Sequence, residues 1–301
     1  MGFVFGAFFD CKEELIKNNS DLIQGNSPMK LAQTLLFITS AVFLNGCIVI
    51  ANPSYADHHV QKELTIDAKQ LSTFDIEAGA GSLVITGSDS VFDITVIADI
   101  YTDKDDIDNY QLELSDSGKT ALLVSKIKSH SGFWNGDSPH IDLKVTMPAN
   151  MMLNVDDGSG STSIININGA IDVKDGTGEL TIKNIANNLK INDGSGGLYV
   201  SDIFGNVSIV DGSGELELSD VNGNLNINDG SGSLDLKHIS GNVIVEDGSG
   251  DLTIKNIAGM VTIDDGSGGI DVDQVGGLTI IESGSGALRV KNVKGGFEIN
   301  E

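Results

Sequence analysis

Asp-Gly-Ser-Gly begins at Asp157 and returns at Asp193, Asp211, Asp229, Asp247 and Asp265; Asp175 opens the variant Asp-Gly-Thr-Gly and Ser283 opens Ser-Gly-Ser-Gly. The spacing is 18 residues at every step, and eight copies fill residues 157–300 without an insertion. A fixed period of this kind is the mark of a solenoid, in which each repeat buries its apolar face only against its neighbours.

Counting each repeat from its Asp as position 1, position 6 is Leu in six copies, Ile270 in one and Thr162 in the first. Positions 8, 11 and 17 are Ile, Val or Leu throughout, and position 15 is apolar except at Thr279. Positions 6 and 8, and again 15 and 17, alternate with polar neighbours, which is the period of a half-buried strand. Each repeat therefore predicts two short strands, and the whole predicts an all-β parallel β-helix, or β-solenoid, with 18-residue rungs. Neighbouring rungs should lie about 4.8 Å apart. The coil should be right-handed, the hand that parallel crossovers prefer. A helical reading fails, because glycine at this density costs about 1 kcal/mol per residue in a helix.

Glycine fills positions 2 and 4 in all eight copies and position 13 in all but one, Asn187. Such residues are needed where φ is positive or where backbones pass closely. Asp at position 1 and Asn or Asp at position 10 suit Asx turns, and His238 reads as a variant of position 10. The apolar steps run 2, 3, 4, 2, which lacks the six-residue sub-period of hexapeptide helices. A calcium-binding nonapeptide roll would place Asp where this chain has Leu or Ile.

Residues 60–156 carry the pattern less regularly. Phe74 to Ile85 fits a degenerate rung, longer strands are predicted at 91–100, 110–115, 121–129 and 141–147, and Leu153 and Val155 fall at positions 15 and 17 of a preceding rung. Residues 57–156 thus read as an irregular β cap on the regular solenoid of 157–301, with no Pro- or Ser-rich linker between them.

Upstream, Leu31 to Ala51 is a largely apolar run preceded by Met29-Lys30 and broken by Asn52-Pro53; Ser54-Tyr55-Ala56 then follows. That is the order of a secretory signal cleaved after Ala56. Residues 29–56 form the signal and 1–28 an upstream extension. The run also has the length of an uncleaved membrane anchor, and Leu44-Asn45-Gly46-Cys47 has the form of a lipobox with Cys47 as its lipid-bearing residue. The expected location is the periplasm, the outer surface or the medium. Cleavage after Ala56 leaves a mature chain without Cys, since the other is Cys11. It also exposes Asp57-His58-His59, where a free amine with His59 third in line suits Cu(II) or Ni(II); the plainer reading is a solvated terminus.

Ile141-Asp142-Leu143-Lys144-Val145-Thr146-Met147-Pro148, then Leu153-Asn154-Val155, then Gly158-Ser159-Gly160, resembles a bacterial family of β-strand-repeat domains known as putative adhesins. The likeness covers about residues 60–301. It implies a β-solenoid with a surface-interaction role, and it brings no functional residues to carry over.

The 43 Asp and Glu against 18 Lys and Arg give a net charge of −25, which excludes nucleic acid as a partner, because phosphate binding needs a clustered basic surface. Candidate chemistry is sparse. The most pointed feature is the column Asp157, Asp175, Asp193, Asp211, Asp229, Asp247 and Asp265. Stacked at rung spacing, neighbouring charges repel by roughly 3.5 kcal/mol at an effective dielectric near 20. Either the turn N–H groups offset this, or Ca²⁺, which takes oxygen ligands, bridges the rungs. Asn188, Asn206, Asn224 and Asn242 at position 14 read as a stack of side-chain amides. His130 and His140 flank a loop with Phe133 and Trp134, a candidate contact site. No nucleophile, base and orienter set is legible, so the chain reads as non-enzymatic, without a cofactor unless Ca²⁺ is one. Its partner is a protein or carbohydrate surface, and the mature domain does not insert in a membrane. A calcium-dependent binding module and a carbohydrate-active β-helix enzyme are the alternatives, and end-to-end self-association of rungs is open to it.

Overall fold

The computed structural model describes residues 56–128 and 138–300, and no helix occurs among them. The N-terminal part opens with β1 (His58–Asp67), β2 (Thr73–Ala80), β3 (Leu83–Ser88) and β4 (Asp93–Thr102). It continues with β5 (Tyr110–Ser117), β6 (Thr120–Ile127) and β7 (His140–Pro148). β2 and β3 are the degenerate rung expected from sequence. They lie parallel to β8 (Met152–Ile167), with Phe74 opposite Leu153 and Ile85 opposite Ile164. β6 and β7 repeat the arrangement one layer further out, parallel to β2 and β3. Antiparallel strands then extend both sheets: β5 joins β6, while β4 joins β7 and β1 joins β4.

The cap is therefore a two-sheet sandwich grown on the rung stack. Its interior is Phe74, Ile76, Ile94, Val96 and Leu123, each no more than 1% exposed. β1 has no counterpart in the sequence-based assignment. Its alternation of Val60, Leu64 and Ile66 is interrupted by Lys62, and the Lys62 ammonium lies over the Tyr110 ring, 5.1 Å from its centroid. A cation over an aromatic face is a favourable contact, so the charge that breaks the pattern has its own partner.

From β8 onward the rungs stack in parallel. β9 (Ile171–Ile185) and β10 (Leu189–Ile203) each run from position 15 through the glycine turn to position 11 of the next repeat. Further along, the two faces separate into β11 (Val207–Asp211), β12 (Gly214–Val221), β13 (Leu225–Asp229), β14 (Gly232–Ile239) and β15 (Val243–Asp247). The stack ends in β16 (Gly250–Asp265), β17 (Ile270–Glu282), β18 (Leu288–Val293) and β19 (Phe297–Ile299). Partners step by 18 residues, so Leu216 faces Leu234 and Leu234 faces Leu252. Like residues thus form columns along the stack. Leu198, Leu216, Leu236 and Val245 are at most 1% exposed, and burying each contributes roughly 1.5–3 kcal/mol.

Two features shape the corners. Position 10 is left-handed in every copy, with φ between 52° and 62°, at Asn184, Asp220, His238 and their equivalents. Asn and Asp tolerate that conformation better than other side chains, which explains their recurrence there. In the first seven copies position 4 has φ from 131° at Gly160 to 155° at Gly268, and a Cβ on Gly214 would stand 1.7 Å from the Gly196 carbonyl oxygen. Only glycine lets the rungs approach at that corner.

The motif spacing hides one irregularity. Between β16 and β17, Met260 pairs with Gly277 and Val261 with Leu278, so one residue is missing from the second turn; the count is restored between Ile280 and Glu282. Leu278 and Ile280 therefore point inward, both 0% exposed, while Ile281 is 48% exposed. Thr279, the one polar residue at position 15 by simple counting, faces outward beside Thr262. The apparent exception in the repeat is a register shift that keeps the core apolar. In the last rung of the described residues, Leu288, Phe297 and Ile299 hold inward positions but are 40%, 52% and 38% exposed.

Candidate functional site

The seven aspartates follow the strand alternation rather than the turn. Positions 15, 17 and 1 all face inward, as Leu225, Ile227 and Asp229 do in β13. The carboxylates are consequently buried, from 0% exposed at Asp265 to 5% at Asp247. The in-register pairs Asp157–Asp175–Asp193 and Asp211–Asp229–Asp247–Asp265 make them a ladder with one rung per repeat.

The turn N–H groups satisfy this ladder less fully than expected from sequence. Ser249 donates to Asp247 Oδ1 and Ser267 to Asp265 Oδ1, both at 3.0 Å. At the first rung the Thr162 hydroxyl donates to Asp157 Oδ2 at 2.7 Å, which accounts for Thr at a position otherwise aliphatic. At Asp175, Asp193, Asp211 and Asp229 neither oxygen accepts a hydrogen bond of good geometry; the N–H groups of the glycine turn, such as Gly194 and Ser195 beside Asp193, pull on the charge without satisfying it. An unpaired buried charge is costly, and such a group takes up a proton instead. Burial, reinforced by the carboxylates of Asp157 and Asp193, pushes Asp175 up to about 7. Burial and the neighbours on either side push Asp211 and Asp247 up to about 6. Asp157, Asp193, Asp229 and Asp265 are raised in the same direction by burial, against the pull of nearby hydrogen bonds. Among the described residues no three His, Cys, Asp or Glu side chains converge to hold a metal ion.

The other residues singled out by sequence are scattered. Ala56 and His59 are described, and His59 stands within β1, paired to Tyr101 of β4, rather than in a solvated terminus. Its Nε2 lies 2.8 Å from Asp99 Oδ1, and its ring stacks on Tyr101, which stacks in turn on His140, with centroids 4.6 Å apart at each step. Sequence reasoning missed this stack because β1 was not assigned, so His59 and His140 had no shared face. His238 takes the left-handed corner and lies 3.3 Å from Asp220 Oδ1. Phe133, Trp134, His130, Cys47 and the apolar run 31–51 lie outside the described residues.

The asparagine column differs from a stack of amides bonded to one another. Asn188 Oδ1 accepts the backbone N–H of Asn206; Asn206, Asn224 and Asn242 do the same for Asn224, Asn242 and Met260, all at 2.9 Å. These four asparagines line a groove of about 750 Å³ that spans positions 14–16 from Met152 to Ile244. The equal spacing of Asn188, Asn206, Asn224 and Asn242 was the available signal for it. What the spacing could not convey is which amide atom is committed to the backbone.

No family model and no curated protein matches the chain. It is similar to several solved structures. A protein of Clostridium sporogenes named a putative cell adhesion protein is 12% identical, with 80% of this chain and 99% of that one covered and a TM-score of 0.27. A protein of Bacteroides fragilis named a putative adhesin is 16% identical over 79% of this chain and 97% of its own, with a TM-score of 0.35. A protein of Parabacteroides distasonis named a putative lipid binding protein is 18% identical over 81% and 98%, with a TM-score of 0.47. These likenesses bring no ligand and no site residue to this chain.

Proposed function

We propose that this chain is an exported, non-enzymatic β-solenoid that binds an extracellular or cell-envelope surface through its long strand faces. The observation that carries this reading is the register of the outward columns. Lys190, Ser208, Asn226 and Ile244 stand directly opposite one another on successive rungs, so one rigid face holds an outward side chain at a fixed place on every rung. Weak contacts that repeat on a rigid frame add through effective concentration, without any single strong site. The names of the similar structures, which include adhesins, agree with this reading.

The test is to express the full chain with its leader in a bacterial host, and to find the mature N-terminus and its accessibility to protease on intact cells. Labelled protein is then titrated onto cells. A surface-accessible chain beginning at Asp57, with saturable cell binding, is the expected result. A cytosolic chain, or one that binds no surface, overturns it.

The incompletely satisfied carboxylates of Asp175, Asp193, Asp211 and Asp229 favour one variant, in which Ca²⁺ lies along the ladder and surface binding depends on it. Thermal unfolding with calcium and with chelator, at fixed ionic strength, separates the two. A large upward shift with calcium supports the metal, and an unchanged midpoint supports protons.

A further inference from the structure

We propose that the groove over positions 14–16 is a binding site for a neutral, linear hexopyranose glycan lying along the solenoid axis; the proposal rests on the surface-binding reading above. Three observations carry it. The first is the donor row. In Asn188, Asn206, Asn224 and Asn242 the Oδ1 atom is committed to the backbone of the next rung. That bond fixes the orientation of each amide and leaves its Nδ2 hydrogens without a partner among the described residues. Four identical donors therefore repeat at rung spacing, about 4.8 Å, on exposed side chains that line the groove.

The second is charge. The molecule carries −25, yet the charged side chains lining this groove are Asp172 and Lys190, which pair with each other at 2.9 Å. A neutral strip on an acidic molecule accepts an uncharged ligand, and the surrounding field repels polyanions. The third is the repeat. One β-1,4-linked hexopyranose ring is about as long as one rung, and because successive rings are turned over, like hydroxyls meet every second amide over the roughly 20–25 Å from Met152 to Ile244. An extended peptide repeats on one side every two residues, about 6.6 Å, and falls out of step within two rungs. The groove lies on a sheet face, so a peptide would also find no free strand edge to pair with. The apolar border at Met152 and Ile244, 46% and 47% exposed, offers contact to the C–H faces of the rings.

The test titrates the full exported chain with cellohexaose and with mannohexaose, two neutral β-1,4-linked hexamers, by calorimetry. One hexamer is expected to bind saturably, and its disaccharide at least about tenfold more weakly, since fewer rungs are engaged. The double variant Asn206→Asp/Asn224→Asp keeps both Oδ1 acceptors and removes two donors. It should lose at least about tenfold in affinity while melting as cooperatively as the parent. Should that variant fail to fold, Ser208→Arg fills the groove from an outward strand position without touching the ladder, and the same loss is expected.

Four results overturn the proposal: no hexamer binding at millimolar ligand, equal affinity for hexamer and disaccharide, undiminished affinity in the folded variants, or tighter binding of a neutral extended peptide such as an acetylated, amidated Ser-Gln hexamer. The cell-binding titration is run beside it. Cell binding without hexamer binding overturns the groove assignment alone, whereas loss of both removes the surface reading as well.

Discussion

A glycine and an aspartate carry most of the constraint at each corner, and they do so for opposite reasons. Gly214 has φ 147°, and a Cβ there would meet the Gly196 carbonyl oxygen at 1.7 Å. Gly118 has φ 65° with nothing within 4 Å of its would-be Cβ. Gly214→Ala should therefore cost more than about 3 kcal/mol or prevent folding, while Gly118→Ala should cost only about 1–2 kcal/mol for the left-handed backbone. Chemical denaturation of both variants checks the ranking, and equal costs would show that the rungs can separate at this corner. Asp211 is the converse case, a residue held in an environment that penalises its charge. Asp211→Asn keeps the shape and an acceptor but removes the charge. At pH 8 it should stabilise the chain by on the order of 1–3 kcal/mol, and at pH 5 by about half as much, measured as unfolding free energy at the two pH values.

At the scale of the element, a rung is stable only because its neighbours cover it. Leu216 faces Leu198 on one side and Leu234 on the other and is 0% exposed. Leu216→Ala should cost about 2–5 kcal/mol through lost transfer energy and an unfilled cavity between fixed rungs. In contrast, Leu288→Ala on β18, whose side chain is 40% exposed, should cost under about 1 kcal/mol by the same area argument. Urea unfolding of the two variants tests this. The shift between β16 and β17 makes the same point from the sequence side. Motif counting puts Ile281 in the core and Thr279 beside it, whereas the chain drops one residue in the turn and bulges after Ile280. Burying Leu278 and Ile280 instead of a threonine hydroxyl removes the cost of an unsatisfied polar group.

For the whole molecule, the ladder links folding to pH. Carboxyls whose folded pKa lies above the unfolded value near 3.8 bind protons more tightly in the native state. The native chain then holds more protons than the unfolded one, so stability falls as pH rises through the folded values. With Asp175 at about 7 and Asp211 and Asp247 at about 6, the melting temperature should climb from pH 8 down to about pH 5. Below about pH 4 the exposed pairs Asp57–Lys104 and Asp67–Lys69, whose carboxyls are held low by their lysines, lose their small contribution and oppose the trend. Thermal melts across that range decide the matter. A midpoint that rises steadily from pH 5 to pH 8 would mean the carboxylates stay ionised inside the fold.

Sequence and structure divide the explanation along a physical line. The 18-residue period, the two strands per repeat and the apolar columns were all legible, because a solenoid's core is made of contacts between equivalent positions and the pattern of one repeat is the pattern of all. Position 10 was legible as a turn from its Asn and Asp, but that the turn is a left-handed corner came only from the backbone. The cap was legible as strands but not as a sandwich, since β1 pairs with β4 across 25 intervening residues and nothing local marks that partner. The direction of the aspartates was also set only by the fold. Their place after Leu225 and Ile227 implies an inward side chain and the following glycine implies a turn. The packed rung resolves the conflict by burying the carboxylate just before the corner. The asparagine groove depends on the tertiary structure in the same way. Spacing shows that the amides stack, but only the hydrogen bonds between rungs determine that oxygen is spent on the backbone and nitrogen is left for the groove.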